Sequence, residues 1–164
     1  MSDSHPGGWH RNVVKVIEAG RALGVSVEPV HQAEGAKTAA DAAAAVGCDV
    51  AQIVKSLIFS VDGEVVLAYV SGANQLDERR LAAAAGGDHC ERVDADTVRS
   101  VTGFPIGGVP PFGHATELRT FVDPDLLHHD VVWAAAGTWN DVFPIAPSEL
   151  VGAGGGTVLE LKRG

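Results

Sequence analysis

Ile53-Val54-Lys55-Ser56-Leu57-Ile58-Phe59-Ser60-Val61, then Asp62-Gly63, then Glu64-Val65-Val66-Leu67-Ala68-Tyr69-Val70: this stretch decides the fold class. Two runs rich in β-branched and aromatic residues flank a dipeptide that supplies the positive φ of a tight hairpin turn. On either side the pattern changes. Thr38-Ala39-Ala40-Asp41 opens an Ala-rich helix that Thr38 can cap and Gly47 can end, and Asp49 can cap one further turn through Gln52. Asp77 to Ala85 is a second Ala-rich helix, stopped at Gly86-Gly87, and Asp94 to Val101 a short third.

Further out, apolar positions from Trp9 to Leu23 suit a helix with Gly24 as its stop, and Val25 to Val30 alternates as a short strand would. Further strands are expected at 88–93, 117–122, 130–135, 141–145 and 157–161, with a helical turn from Pro147 to Val151. Helices and strands mix without a regular βαβ rhythm, which predicts an α+β fold. Residues 1–8 read as a flexible tail and residues 9–164 as one domain. A chain of 16.9 kDa buries about 69% of its surface on folding, enough for a core without staples.

Composition excludes several classes. With 46% apolar residues the chain is not disordered, and no apolar run approaches a membrane span. The first residues carry no export signal, and Cys48 and Cys90 make no disulfide framework, so the expected location is the cytoplasm. Twelve Lys and Arg stand against 21 Asp and Glu, a net charge of −9. Such a chain cannot hold nucleic acid through a general basic surface; it would have to grip it locally, at one end or one nucleotide.

Three features could carry chemistry. Lys55 lies among apolar positions on both faces of its strand, sharing one with Leu57, Phe59 and Val61. Its ammonium must snorkel at a rim or meet an anion such as a phosphate or carboxylate. Thr102-Gly103-Phe104-Pro105-Ile106-Gly107-Gly108-Val109-Pro110-Pro111-Phe112-Gly113 mixes residues free to take positive φ with residues that fix the chain. It is either a tight connection or a loop that aims backbone N–H groups at one oxygen. Asp141, after the turn at Gly137, is either a turn former or a group that holds an amine or a ribose hydroxyl. The seven histidines have no ligand spacing to one another or to the cysteines, so no metal and no cofactor is expected. Signatures of a Ser or Cys nucleophile are missing as well.

In their order and spacing these segments resemble the YbaK/prolyl-tRNA synthetase-associated domain family of aminoacyl-tRNA deacylases, from about Thr38 to Val151. The resemblance rests on Ala39 to Gly47 followed by Ile53-Val54-Lys55-Ser56-Leu57, on Gln75-Leu76-Asp77, on the Gly/Pro loop, and on Ala136-Gly137 ahead of Asp141. It implies a mixed, barrel-like sheet with surrounding helices. It also implies that Lys55 engages the aminoacyl-adenosine end of a mischarged tRNA and that Gly107 and Gly108 present N–H groups to the ester. Water or a substrate group would attack without a side-chain nucleophile. Ser71, Thr102, Pro110 and Asp141 are the implied substrate-binding positions. The implied partner is the 3′ aminoacyl end of tRNA, optionally with a synthetase, and neither DNA nor a membrane. Where some members carry a basic residue or histidine, this chain has Thr138-Trp139, which leaves the removed amino acid open among small residues such as Cys, Ala, Ser or Pro. The alternatives are a non-catalytic module binding an aminoacyl-adenosine or a synthetase, and a small esterase or amidase acting on free metabolites.

Overall fold

In the computed structural model, which describes residues 8–32 and 38–164, the central hairpin pairs in full register. Strand β2 (Val54–Val61) runs antiparallel to β3 (Glu64–Ser71), from Val54 opposite Ser71 to Val61 opposite Glu64. Asp62 and Gly63 take φ of 49° and 91°, the pair of positive angles that matches the twist of the strands. Residues 1–7, most of the expected tail, lie outside the described residues.

Around this hairpin the elements follow the local signals. Helix α1 is Arg11–Ala22, followed by a two-residue strand β1 (Val30–His31) and α2 (Ala39–Val46). Beyond the hairpin come α3 (Glu78–Ala84), β4 (Cys90–Arg92), α4 (Ala95–Thr102) and β5 (Arg119–Val122). Strands β6 (Val132–Thr138) and β7 (Asp141–Ile145), helix α5 (Pro147–Gly154) and strand β8 (Gly156–Val158) end the order. The expected caps are in place. Thr38 Oγ1 accepts from Asp41 N, Asp77 from Arg79 N and Asp94 from Thr97 N, while Gly47 closes α2 in the left-handed region.

Two sheets result. The larger has the order β4-β2-β3-β5-β8, with β5 parallel to β3 and β8 parallel to β5; the smaller is β1-β7-β6. A parallel bridge from Ile53 to Trp133 joins them where β2 begins. Strand β3 is covered on both sides. Leu67 and Tyr69 pack with Phe112, Val132 and Phe143 between the sheets, while Val66, Ala68 and Val70 pack with Phe59 and Leu81 beneath α3. Each buried Val, Leu or Phe among them contributes about 1.5–3 kcal/mol. The mixed sheets and flanking helices are the expected α+β class. Among the described residues, no helix is long and apolar enough to cross a membrane.

Two expected strands are shorter than their patterns suggest. Between Val25 and Val30 only Val30 enters a ladder, opposite Val142. Val25 and Val27 are buried instead against α1, where Val27 Cγ2 would stand 2.5 Å from a Cβ placed on Gly20. The alternation there records burial against a helix, which has no free edge to pair. At the C-terminus, β8 stops at Val158, and Leu161 is buried without extending that ladder. A 3-10 turn over Pro124–His128, capped by Asp123, has no counterpart in the sequence reading.

The smaller sheet carries a register irregularity between Ala135 and Thr138, where Gly137 takes φ +103°. Its carbonyl accepts a hydrogen bond from Asn12 Nδ2 at 3.1 Å, so the start of α1 docks on the irregularity. A Cβ at Gly137 would lie 3.0 Å from the backbone C and O of Asn12. Gly137→Ala is therefore expected to cost about 1–3 kcal/mol through strain and displaced helix. Urea denaturation of the variant against wild type measures this, and an unchanged midpoint would contradict the docking role.

Candidate functional site

Lys55 sits at the start of β2, opposite Val70. It is half-buried, and its Nζ donates to the Asn74 carbonyl at 2.5 Å, which leaves two of its three donors for a ligand. Burial pushes its pKa below the ordinary lysine value, and the nearby Asp123 carboxylate opposes that shift. Asp123 does not bond the ammonium. Fully buried, it accepts from Ser71 N at 3.1 Å, Asn74 Nδ2 at 2.7 Å and Asp125 N at 2.9 Å. Asn74 Nδ2 also reaches Asp125, which accepts from Lys162 Nζ at 2.8 Å. The lysine is thus positioned through a carbonyl whose own side chain is anchored to two carboxylates.

The Gly/Pro loop faces it. Gly108 N donates to Pro105 O at 2.9 Å, and Gly107 takes φ +83°, the positive angle a type II turn requires at its third position. Gly108 is needed for close approach, since a Cβ there would meet Gly137 C and Thr138 Cα at 3.1 Å. Trp139 crosses the turn and donates from Nε1 to the Ile106 carbonyl. Behind the turn, Tyr69 Oη donates to Pro111 O at 3.0 Å, and the His114 ring bonds Pro110 O through Nε2 at 2.6 Å. Among the described residues, the N–H groups of Gly107 and Val109 have no acceptor.

Between β2 and this turn lies a cavity of about 370 Å³. Lys55 and Ser56 line one side and Ile106, Gly107 and Val109 the other; Ala39 and Ala42 of α2 and Ala135 and Val142 of the smaller sheet complete an apolar wall. A second cavity of about 380 Å³ shares Lys55, Ser56, Leu57 and Ile106 and runs out toward Gln75, Arg92 and Arg163. Lys55 stands where the two meet. The described lining of the first cavity contains no His, Cys, Asp or Glu. Ser56 Oγ is buried in the wall without a hydrogen-bond partner, so no base activates it as a nucleophile. Among the described residues, no group of three His, Cys, Asp or Glu is placed to hold a metal.

The structure thus brings Lys55 and Gly107 to one cavity. Gly108 is buried beside the cavity without lining it, its N–H is engaged by the turn, and the N–H without an acceptor next to Gly107's belongs to Val109. The other expected positions stand elsewhere. Ser71 donates from Oγ to Ala51 O at 2.7 Å, and Thr102 donates from Oγ1 to Val98 O at 2.7 Å. Both are buried and neither lines the cavity. Pro110 is buried, with its carbonyl held by His114. Asp141 is buried with both oxygens bonded, to His31 Nδ1 at 2.8 Å and Thr138 Oγ1 at 2.6 Å, and it borders a different cleft. Sequence reasoning passed over Val109, Ser56 and the ring of Trp139. Val109 and Ser56 each adjoin a residue singled out, and only the turn geometry distinguishes them.

The model of the aminoacyl-tRNA editing domain matches residues 33–153. One solved structure, described as that of a candidate trans-editing enzyme for prolyl tRNA synthetase, superposes with a TM-score of 0.90 at 40% identity over 96% of this chain and 100% of that one. The uncharacterized protein YwhH of Bacillus subtilis is 29% identical over 113 residues, 69% of this chain and 72% of that protein. A proline–tRNA ligase of Maridesulfovibrio salexigens is 36% identical over 95 residues, which are 58% of this chain and 16% of that enzyme. The chain therefore spans a small part of the ligases it matches.

The loop's anchorage has a pH signature. Burial depresses the His114 pKa below its ordinary 6.5, against the raising effect of its bond to Pro110. The folded state binds this proton more weakly than the unfolded chain, so stability rises with pH through that window. The contribution is complete above pH 6.5 and is lost as pH falls through the lowered folded value. His114→Gln is expected to flatten this part of the stability profile, read from Tm at pH 5 to 8; a profile of wild-type steepness would contradict the assignment.

Proposed function

The chain belongs to the aminoacyl-tRNA editing domain family, and on that premise we propose that it hydrolyses, in trans, the ester of tRNA charged with the wrong small amino acid. The observation that carries this reading is that Lys55 and the loop residues Gly107 and Val109, whose N–H groups have no acceptor among the described residues, line one cavity whose described lining offers no activated side-chain nucleophile.

The chemistry then falls to water and to electrostatics. Water adds to the ester carbonyl carbon and its oxygen becomes an oxyanion, toward which preset N–H donors gain strength as charge develops. Collapse breaks the bond to the terminal ribose oxygen, which leaves with a proton, giving free amino acid and tRNA. Lys55 holds the ester end of the substrate, the aminoacyl side chain lying against Ala39, Ala42, Ala135 and Val142 and the nucleoside toward Thr138 and Trp139. A pre-positioned ester and a fixed donor pair remove much of the entropic cost of the attack. The short walls suit Ala, Ser or Cys, and tRNA-Pro is the carrier that the prolyl-synthetase relatives favour.

Lys55→Ala is expected to lower kcat/KM for Ala-, Ser- or Cys-tRNA(Pro) by at least ~100-fold, the order of loss when the reacting ester is no longer held in place. Its circular dichroism and Tm should remain near wild type, because Lys55 is half-buried and makes one hydrogen bond. Full activity in the variant removes Lys55 from the mechanism; saturable binding of aminoacyl-adenosine without turnover by wild type would make the domain a binding module. Ala135→Val, which fills the wall from a strand position that tolerates β-branching, should raise the ratio of Ala over Pro ester hydrolysis by about tenfold or more. An unchanged ratio places the amino-acid side chain elsewhere.

A further inference from the structure

A third hollow, a cleft of about 850 Å³, lies on the other side of the β6–β7 turn, and its charge contradicts that of the whole. On a chain of net charge −9, Arg11, Lys15 and Arg99 converge on it together with His31. Its described lining contains one carboxylate, Asp141, which is 3% exposed and spends both oxygens on His31 and Thr138. The three long cations are exposed, and none pairs with a carboxylate among the described residues. Arg11 and Lys15 are one turn apart on α1, about 6 Å of rise, and Arg99 comes from α4. That spread suits a repeated anion better than a single one.

The cleft also has a flat face. Trp139 is 59% exposed, yet its ring is pinned by the Nε1 bond to Ile106 O and by contact with Gly107. An exposed indole held in one orientation is a stacking surface, and stacking on an aromatic side chain is worth about 1–3 kcal/mol per base. Thr138 and Trp139 line both this cleft and the cavity that holds Lys55 and Gly107, so the two adjoin at that turn.

We propose that the cleft binds the single-stranded RNA segment leading to the aminoacylated nucleotide, with Arg11, Lys15 and Arg99 on successive phosphodiester oxygens and a base stacked on Trp139. The inference rests on the editing reading, which it extends from the ester to the strand that carries it. It also explains how a strongly acidic protein retains a polyanionic substrate: the grip is confined to one cationic groove.

The test compares wild type with the triple variant R11Q/K15Q/R99Q on two substrates, full-length mischarged tRNA and the corresponding aminoacyl-adenosine, which has no phosphate. These three side chains lie outside the ester cavity and are exposed. The triple variant should raise KM for tRNA by about tenfold or more and make the salt dependence of log KM shallower by about 2, at ~0.7 per phosphate contact. Hydrolysis of aminoacyl-adenosine should be unchanged. Equal KM and equal salt slope on tRNA overturn the proposal while leaving the editing reading intact. If wild type hydrolyses neither substrate, the editing reading fails, and anisotropy of a labelled short RNA ending in CCA still decides the cleft. Weaker binding by the triple variant supports it and unchanged binding overturns it. Displacement of that RNA by inorganic phosphate at matched phosphate concentration also overturns it, since a lone-anion site would then suffice.

Discussion

The site depends on one close approach. Gly108 lies so near the end of β6 that a side chain there would press on Gly137 C and Thr138 Cα at 3.1 Å. This contact brings the Gly/Pro loop, which belongs to no sheet, against the smaller sheet and encloses the cavity between that loop and β2. The neighbouring Gly137 carbonyl receives Asn12, so α1 is drawn to the same point, and Trp139 then closes over Gly107. Cavity and cationic cleft are two sides of this single junction. Close packing of backbone against backbone is stiff, which suits donors that must be in place before charge develops.

Charge is handled by separation. The Lys55 ammonium is held by a carbonyl rather than by a carboxylate, although Asp123 lies close enough to influence it. Asn74 stands between them, giving its carbonyl to the lysine and its amide to Asp123 and Asp125. A direct ion pair would neutralise the lysine and occupy its donors. The interposed amide fixes the same geometry and leaves the cation available to an anionic or carbonyl ligand. Asp141, at the start of β7, is bonded through both oxygens to His31 and Thr138 and so has no oxygen left over for a ligand in the cleft.

The cavity's described lining has no histidine, cysteine or carboxylate, and family membership in aminoacyl-tRNA editing gives that composition a consistent meaning. An ester is activated enough that positioning and two or three preset donors can account for its cleavage, whereas an amide would ask for more. Cys48 has its pKa raised by burial and by Asp49, the direction that disfavours a nucleophilic thiolate, and it does not line the cavity.

The sequence by itself determined what is local. The hairpin over 54–71 follows from two β-rich runs around Asp62-Gly63, and helix ends at Thr38, Gly47, Asp77 and Asp94 follow from side chains that bond their own first turn or a glycine that alone accepts positive φ. The same locality made Lys55 conspicuous, because a charge within an apolar strand needs an explanation wherever the strand lies. What was decided only in three dimensions are the partnerships between distant segments. Nothing near Val25 to Val27 says that a helix rather than a strand covers them. Nothing in Gly107-Gly108-Val109 says which N–H the turn consumes, nor in Ser71, Thr102 and Asp141 that their oxygens are spent on Ala51, Val98 and His31. Hydrogen-bond satisfaction is settled among groups that meet only after the two sheets have closed on one another, so a residue's chemistry is legible in the sequence while its free valences are not.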